Sequence, residues 1–260
     1  TSLSAGSPAI TFVQSTGKFK TASGTSIMSS AFATNPVVGN RIIVLAWGCC
    51  TSPTLTASDN KGNTYTSDTQ TTYVGQDVAI LSAPVTVTGA GFTVTVTSSQ
   101  PNSQITAVAM EYSGLGARDQ TGINTGTTAS ATVSTVGATS AANELVASVL
   151  VTDLPAVLFT SITPAGGYTD RVTELDNSVF AGGEGSDKIV AATGVQSNTW
   201  TTNPALTSWA AAIATYYPAL SAGVFAGDQS GTVYAVDLAT GTTSAGWQVT
   251  PAGSTAIQAG

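Results

Sequence analysis

The 260-residue chain contains no histidine. That removes the side chain that most often serves as a general base near neutral pH, the Ser-His-Asp triad, and the commonest transition-metal ligand. Charge is scarce as well: seven Lys plus Arg and fourteen Asp plus Glu make up 8% of the chain, against about 25% in an average soluble domain. The seven cations are scattered from Lys18 to Lys188. They form no basic patch or basic aromatic stripe, so nucleic acid is not an expected partner. No apolar run reaches the roughly 18 residues of a membrane span, and no glycine-rich phosphate loop leads into a helix. No N-x-S/T sequon occurs. The only two cysteines are neighbours, Cys49 and Cys50. They are too few ligands for a metal site, which leaves two thiols, a vicinal ring, or bridges to other chains.

What fills the gap is Thr and Ser, 73 residues in all, with 27 Gly. Hydroxyls keep a surface wet without charge, and β-branched Thr favours strands. This is the composition of a turn-rich sandwich or barrel. Strand signals recur along the chain. Residues 40–48 (NRIIVLAWG) and 105–114 (ITAVAMEYSG) are continuous apolar runs, as expected of strands covered on both faces. DVAILSAPV and GFTVTVTS alternate with period two. The series then restarts. NELVASVLVTD matches NRIIVLAWGC, GGYTDRVTE stands where GNTYTSDTQ stood, and SWAAAIATYYPAL parallels QITAVAMEYSGL. That parallel makes 208–218 a strand despite its alanines. Short helical turns are expected near 139–143.

The expected fold is therefore all-β: a two-sheet antiparallel β-sandwich, jelly-roll-like, with two loosely repeated halves interleaved to give about eight to ten strands. It should span 10–218, between a short extension at 1–9 and a β-hairpin segment at 219–260. Ile42, Val44, Val108, Met110, Leu145, Val149 and Ile213 are the expected core, with Trp47 and Trp209.

Four stretches resemble a family of bacterial secreted and phage-encoded β-sandwich domains. They are Gly39 and Asn40 through Trp47; Asp59, Gly62, Asn63 and Tyr65; Ala109, Glu111, Tyr112, Ser113 and Gly114; and Trp209 through Pro218. The resemblance covers about residues 10–218 and implies the sandwich fold without a catalytic role. Farther on, Gly227, Gly231, Val233, Tyr234, Ala235, Val236, Asp237, Thr240 and Gly241 resemble one blade-forming unit of the quinoprotein-type β-propellers. Propellers need typically four to eight blades, and this chain holds one such unit.

Chemistry-bearing positions are few. Glu111 ends an apolar strand, and its expected role is a carboxylate satisfied by a backbone amide or an Arg. Fourteen carboxylates do not exclude the pair a glycosidase needs. Asp59, Asn60 and Asn63 in DNKGN offer oxygens at Ca²⁺-like spacing, although the same residues make ordinary turns. Asp170, Glu174, Asp176, Glu184 and Asp187 form an acidic stretch that Arg171 and Lys188 interrupt. Trp200 and Tyr73, set in polar surroundings, are the candidates for a glycan-stacking platform. No cofactor other than a calcium ion is in view.

The tail 219–260 does not continue the repeat. Val224, Phe225, Val233, Tyr234, Val236, Leu238 and Trp247 are too apolar for a ribbon left alone in water. The segment either opens a following propeller or docks on a neighbour by strand addition. The function expected is thus a non-catalytic extracellular structural subunit, secreted or at a cell surface. It would self-assemble into a filament or surface structure through its terminal segments. A capsid or tail accessory protein on a virion surface and a glycan-binding module are the alternatives.

Overall fold

A computed structural model describes residues 8–21, 23–51, 53–153, 160–176, 181–219, 223–227 and 233–237. The first half holds β1 (Thr11–Ser15), β2 (Phe19–Thr21), β3 (Gly24–Met28), β4 (Arg41–Cys49), β5 (Leu55–Asp59), β6 (Thr66–Tyr73), β7 (Gln76–Pro84), β8 (Val94–Asn102) and β9 (Gln104–Ser113). The second holds β10 (Leu115–Gly126), β11 (Ala131–Ser134), β12 (Glu144–Asp153), β13 (Ser161–Thr163), β14 (Thr169–Asp176), β15 (Ala181–Val190), β16 (Ser197–Asn203) and β17 (Ser208–Pro218). A ribbon of β18 (Gly223–Gly227) and β19 (Val233–Asp237) follows. No helix occurs among the described residues, so 139–143, expected to turn helically, is a series of bends with Asn143 at φ +60°.

The two halves share one topology. The first has a large sheet in the order β1-β9-β4-β7-β6, with β2 also on β9, and a small sheet β3-β8-β5. The second has β10-β17-β12-β15-β14 and β11-β16-β13. All pairings are antiparallel.

The duplication read from the sequence is present, but the halves stack instead of interleaving. Each closes its own sandwich, and the two sandwiches meet through their large sheets, giving four layers. The alternation along β4 shows why. Ile43, Leu45 and Trp47 face the second half, where they pack with Leu145, Val149, Ala212 and Tyr216. Ile42, Val44 and Ala46 face the first half's small sheet, with Val94 and Val96. The second half repeats this with Val146, Leu150 and Ile213 turned toward Val133 and Trp200. A strand covered on both faces carries a continuous apolar run. Such a run does not say which sheet covers which face. The small-sheet strands GTSIM, LTASD, ATVS and SIT are short and polar, which hid them. All seven expected core residues are buried.

The central interface is closed by small residues and by two matching polar contacts. A side chain at Gly183 would collide with the Trp47 indole, and one at Gly185 with Leu45, so these glycines are sockets for the first half's largest residues. The Tyr112 hydroxyl donates to Asp187, which Arg171 grips with two donors at 2.8 and 3.1 Å. At the counterpart position, the Tyr216 hydroxyl donates to Asp68 at 2.6 Å, with the Arg118 Nε 3.8 Å from the same carboxylate. Desolvation, then the facing carboxylate, raises both tyrosines well above the usual range.

Candidate functional site

The unusual chemistry gathers at one end of the first half, where β4 ends and β7 and β9 begin. Cys49 and Cys50 are joined in a disulfide. Of the openings left by the sequence, the structure takes the vicinal ring. Cys49 is the last residue of β4 and is 3% exposed, while Cys50 is exposed on the surface. The Cys50 N–H donates to the Gly75 carbonyl at 2.7 Å. That ties the ring to the β6–β7 turn. Cys50 has φ +83° and Val74 has φ +51°. Left-handed backbone is uncommon for any non-glycine residue and an outlier for a β-branched one.

Polar side chains surround the ring. In the ladders Cys49 lies opposite Gln76 on β7 and Gln104 on β9. Both glutamines are buried. The Gln76 Nε2 donates to Ser208 Oγ at 3.0 Å and the Gln104 Nε2 to Thr106 Oγ1 at 2.9 Å. These bonds orient both amides and leave both Oε1 atoms without a partner among the described residues. On the other face of the sheet, Gly48 lies opposite Asp77, and only a glycine leaves room there for the Asp77 and Asn102 side chains. Asp77 is buried, and among the described residues neither of its oxygens has a hydrogen bond of normal geometry. Burial lifts its pKa to about 8, although the nearby Asn102 amide works in the opposite direction.

A second polar network lies inside the other sandwich. The Trp200 Nε1 donates to Glu184 Oε2 at 2.5 Å, and Ser186 Oγ donates to the same oxygen at 3.2 Å. The Asn198 Nδ2 donates to Ser148 Oγ and Ser186 Oγ at 2.9 and 3.2 Å. Glu184 Oε1 has no partner among the described residues. Burial raises the Glu184 pKa to about 8; the Trp200 bond opposes the rise and Asp170 adds to it. Trp200 is thus 1% exposed, a correction to its place on a glycan platform. Alternation in SNTWTTN turns it inward with Asn198. Tyr73 packs instead at the edge of the central interface, so the two rings share no surface.

The other candidates resolve into local structure. Asp59 Oδ1 accepts from the backbone N–H groups of Lys61, Gly62 and Asn63, and its Oδ2 from Asn63 Nδ2. Asn63 Oδ1 accepts from Thr86 and Val87, and Asn60 Oδ1 from Thr93 N–H. N–H donors take the oxygens a calcium ion would need, so DNKGN is a turn, as its composition also allowed. The acidic stretch disperses: Glu174 pairs with Lys18 and Lys20, Asp187 with Arg171, and Glu184 with Trp200. The Asp176 side chain lies outside the described residues.

Glu111 is buried and accepts from Asn40 Nδ2, Gln14 Nε2 and Val37 N–H at 2.5, 2.7 and 2.8 Å. It clamps the first strand and the loop entering β4. The second half closes the same corner with Glu144, which accepts from Ala141 N–H at 2.9 Å, and Asp119, which accepts from Ser140 N–H at 2.7 Å. Desolvation raises Glu144, with Asp119 adding to the rise. Of the terminal candidates, β18 and β19 are paired, with Val224 opposite Val236 and Ala226 opposite Tyr234. The side chains of Val224, Phe225, Val233, Tyr234 and Val236, and all of Leu238 and Trp247, lie outside the described residues.

Sequence reasoning missed the polar ends Gln76, Asp77, Asn102 and Gln104. The one signal available was Gly48 interrupting an apolar run directly before the two cysteines. Comparison with family models, curated proteins and solved structures finds no match for the chain.

Proposed function

We propose that the chain is a non-catalytic structural subunit that works outside the cell and assembles with copies of itself through its C-terminal ribbon. The observation that carries this reading is topological. Among the described residues, seventeen strands complete two sandwiches joined through their large sheets, and β18 and β19 then form a separate two-stranded sheet that pairs with neither. An isolated two-stranded ribbon is marginal in water, and the sequence of this one is rich in Val, Phe and Tyr. Strand addition to a neighbouring copy supplies the missing partner. Such assembly builds a filament, a cell-surface layer or a coat on a virion by the same contact.

Two further features support the reading. A disulfide suits an oxidising, extracellular compartment. The carboxylates at the strand-entry corners hold loops in both halves, which is a structural role.

Truncation after Pro218 tests the proposal by size-exclusion chromatography with light scattering. The full chain is expected to form oligomers and the truncated chain a monomer with an unchanged β circular-dichroism spectrum. A full chain that is monomeric at all concentrations overturns it.

A further inference from the structure

The Cys49–Cys50 disulfide does little for the fold. A cross-link stabilises chiefly by closing a loop in the unfolded chain, and the effect grows with loop length. Here the sequence separation is one, so almost no chain entropy is removed. Its surroundings nevertheless are specialised. One sulfur-bearing residue is buried and the other exposed. Two non-glycine residues in contacting turns, Cys50 and Val74, hold left-handed backbone. Outliers of this kind collect where function requires them. Finally, two buried carbonyl oxygens, Gln76 Oε1 and Gln104 Oε1, stand without donors among the described residues, on the two strands that flank Cys49 in register. Directly opposed residues have Cβ atoms about 4.5–5.5 Å apart, which roots both glutamine side chains next to that of Cys49. A disulfide offers them nothing, whereas a thiol offers an S–H donor.

We propose that Cys49–Cys50 is a thiol–disulfide exchange site, opened by a dithiol reductant that attacks exposed Cys50, with the reduced Cys49 thiol received by the Gln76 and Gln104 acceptors. The reductant's thiolate forms a mixed disulfide with the Cys50 sulfur as the Cys49–Cys50 bond breaks. The bonding pair stays on the Cys49 sulfur, which takes a proton. The reductant's second thiol then attacks the mixed disulfide and releases Cys50. Two electrons and two protons pass to the cysteines, and the dithiol leaves as its own disulfide. The opened ring lets Cys50 leave its left-handed conformation and loosens its bond to the β6–β7 turn. The site is thus a redox-responsive latch at one end of the first sandwich, independent of the ribbon and of assembly.

The test uses the full chain and dithiothreitol, with alkylation and mass spectrometry under native conditions. The isolated protein is expected to take up no label. Titration with dithiothreitol should expose two thiols per chain while the β circular-dichroism spectrum stays constant. Amide exchange at Cys50 should rise in parallel. Gln104→Met and Gln76→Met should each move the reduction midpoint toward more reductant by about threefold, the worth of a modest hydrogen bond. Gln100→Met, at an exposed position, should not move it. Labelling of the untreated protein, reduction only together with loss of the β spectrum, or unchanged midpoints in both glutamine variants would each overturn the proposal.

Discussion

The two sandwiches share one strand order, with β1 and β2 standing where β10 runs unbroken, yet the second carries a connected polar network within its apolar interior at places where the first carries apolar side chains. Matching hydrogen bonds align them: Ser29 N–H to Val94 O in the first and Thr135 N–H to Gln196 O in the second. In the large sheets Tyr112 and Tyr216 stand at equivalent places, so the ladders put Val44, Leu81, Ala79 and Val96 at the positions that Ser148, Ser186, Glu184 and Asn198 hold in the second half. The first set packs by dispersion and area alone. The second packs through a connected network with Trp200 at its edge. The first half keeps its buried polar residues at one end of its interior, where Ser98 holds the position of Trp200 and Asn102 and Asp77 lie beside it. A duplicated β-sandwich therefore tolerates exchange of several interior apolar side chains for polar ones, provided the replacements hydrogen-bond among themselves.

The largest expected contrast is at the Trp200/Ser98 pair. Trp200→Ala removes a buried indole and strips Glu184 of its strongest donor, and should cost about 3–5 kcal/mol in urea unfolding. Ser98→Ala, which loses bonds to Gln100 and Asn102, should cost about 1 kcal/mol. Equal losses would mean that the two interiors are equivalent after all.

Next is pH. Glu184 and Asp77 have native pKa values raised to about 8 from 4.5 and 3.8. Between those limits the native state keeps protons that the unfolded chain has released. Their contribution to stability is therefore complete at low pH and is lost as pH rises toward 8, by at most about 1.4 kcal/mol per pH unit for each group. Glu184→Gln should flatten this slope through the second interior and Asp77→Asn through the first. Denaturation curves from pH 5 to 8 separate the two. A slope unchanged in both variants would place the protons elsewhere.

The interface contacts differ as well. Arg171 is largely buried and bidentate on Asp187, and its guanidinium lies 3.9 Å from the centre of the Phe12 ring. Arg171→Ala leaves a buried carboxylate without its cation and should cost about 3 kcal/mol. Arg118 is 43% exposed and 3.8 Å from Asp68, so Arg118→Ala should stay within about 0.5 kcal/mol. The smallest contrast is at the entry corners. Glu111→Gln replaces one accepting oxygen with an NH2 donor that faces existing N–H donors and should cost about 1–3 kcal/mol. Thr215→Val, at the matching position, loses one bond to Gln120 N–H and should cost about 1 kcal/mol. Thermal melts of the two variants decide this.

Much of this was legible in the chain itself. Thr, Ser and Gly set the class, the doubled apolar runs set the long strands, and the second run of signals announced the duplication, because period and composition are local properties. DNKGN was readable as a turn for the same reason: Asp59 caps amides within four residues of itself. The site was less legible. A tryptophan between two threonines carries no mark of whether its face of the strand meets water or a second sheet, and the Trp200 ring found Glu184 sixteen residues away. The sequence by itself determined an all-β, duplicated chain with one paired cysteine step at a strand end. Only the tertiary structure decided that the halves stack in four layers, that Gly183 and Gly185 receive Trp47 and Leu45, and that Gln76 and Gln104 flank Cys49. Those are contacts between strands distant in sequence, fixed by which faces exclude water together.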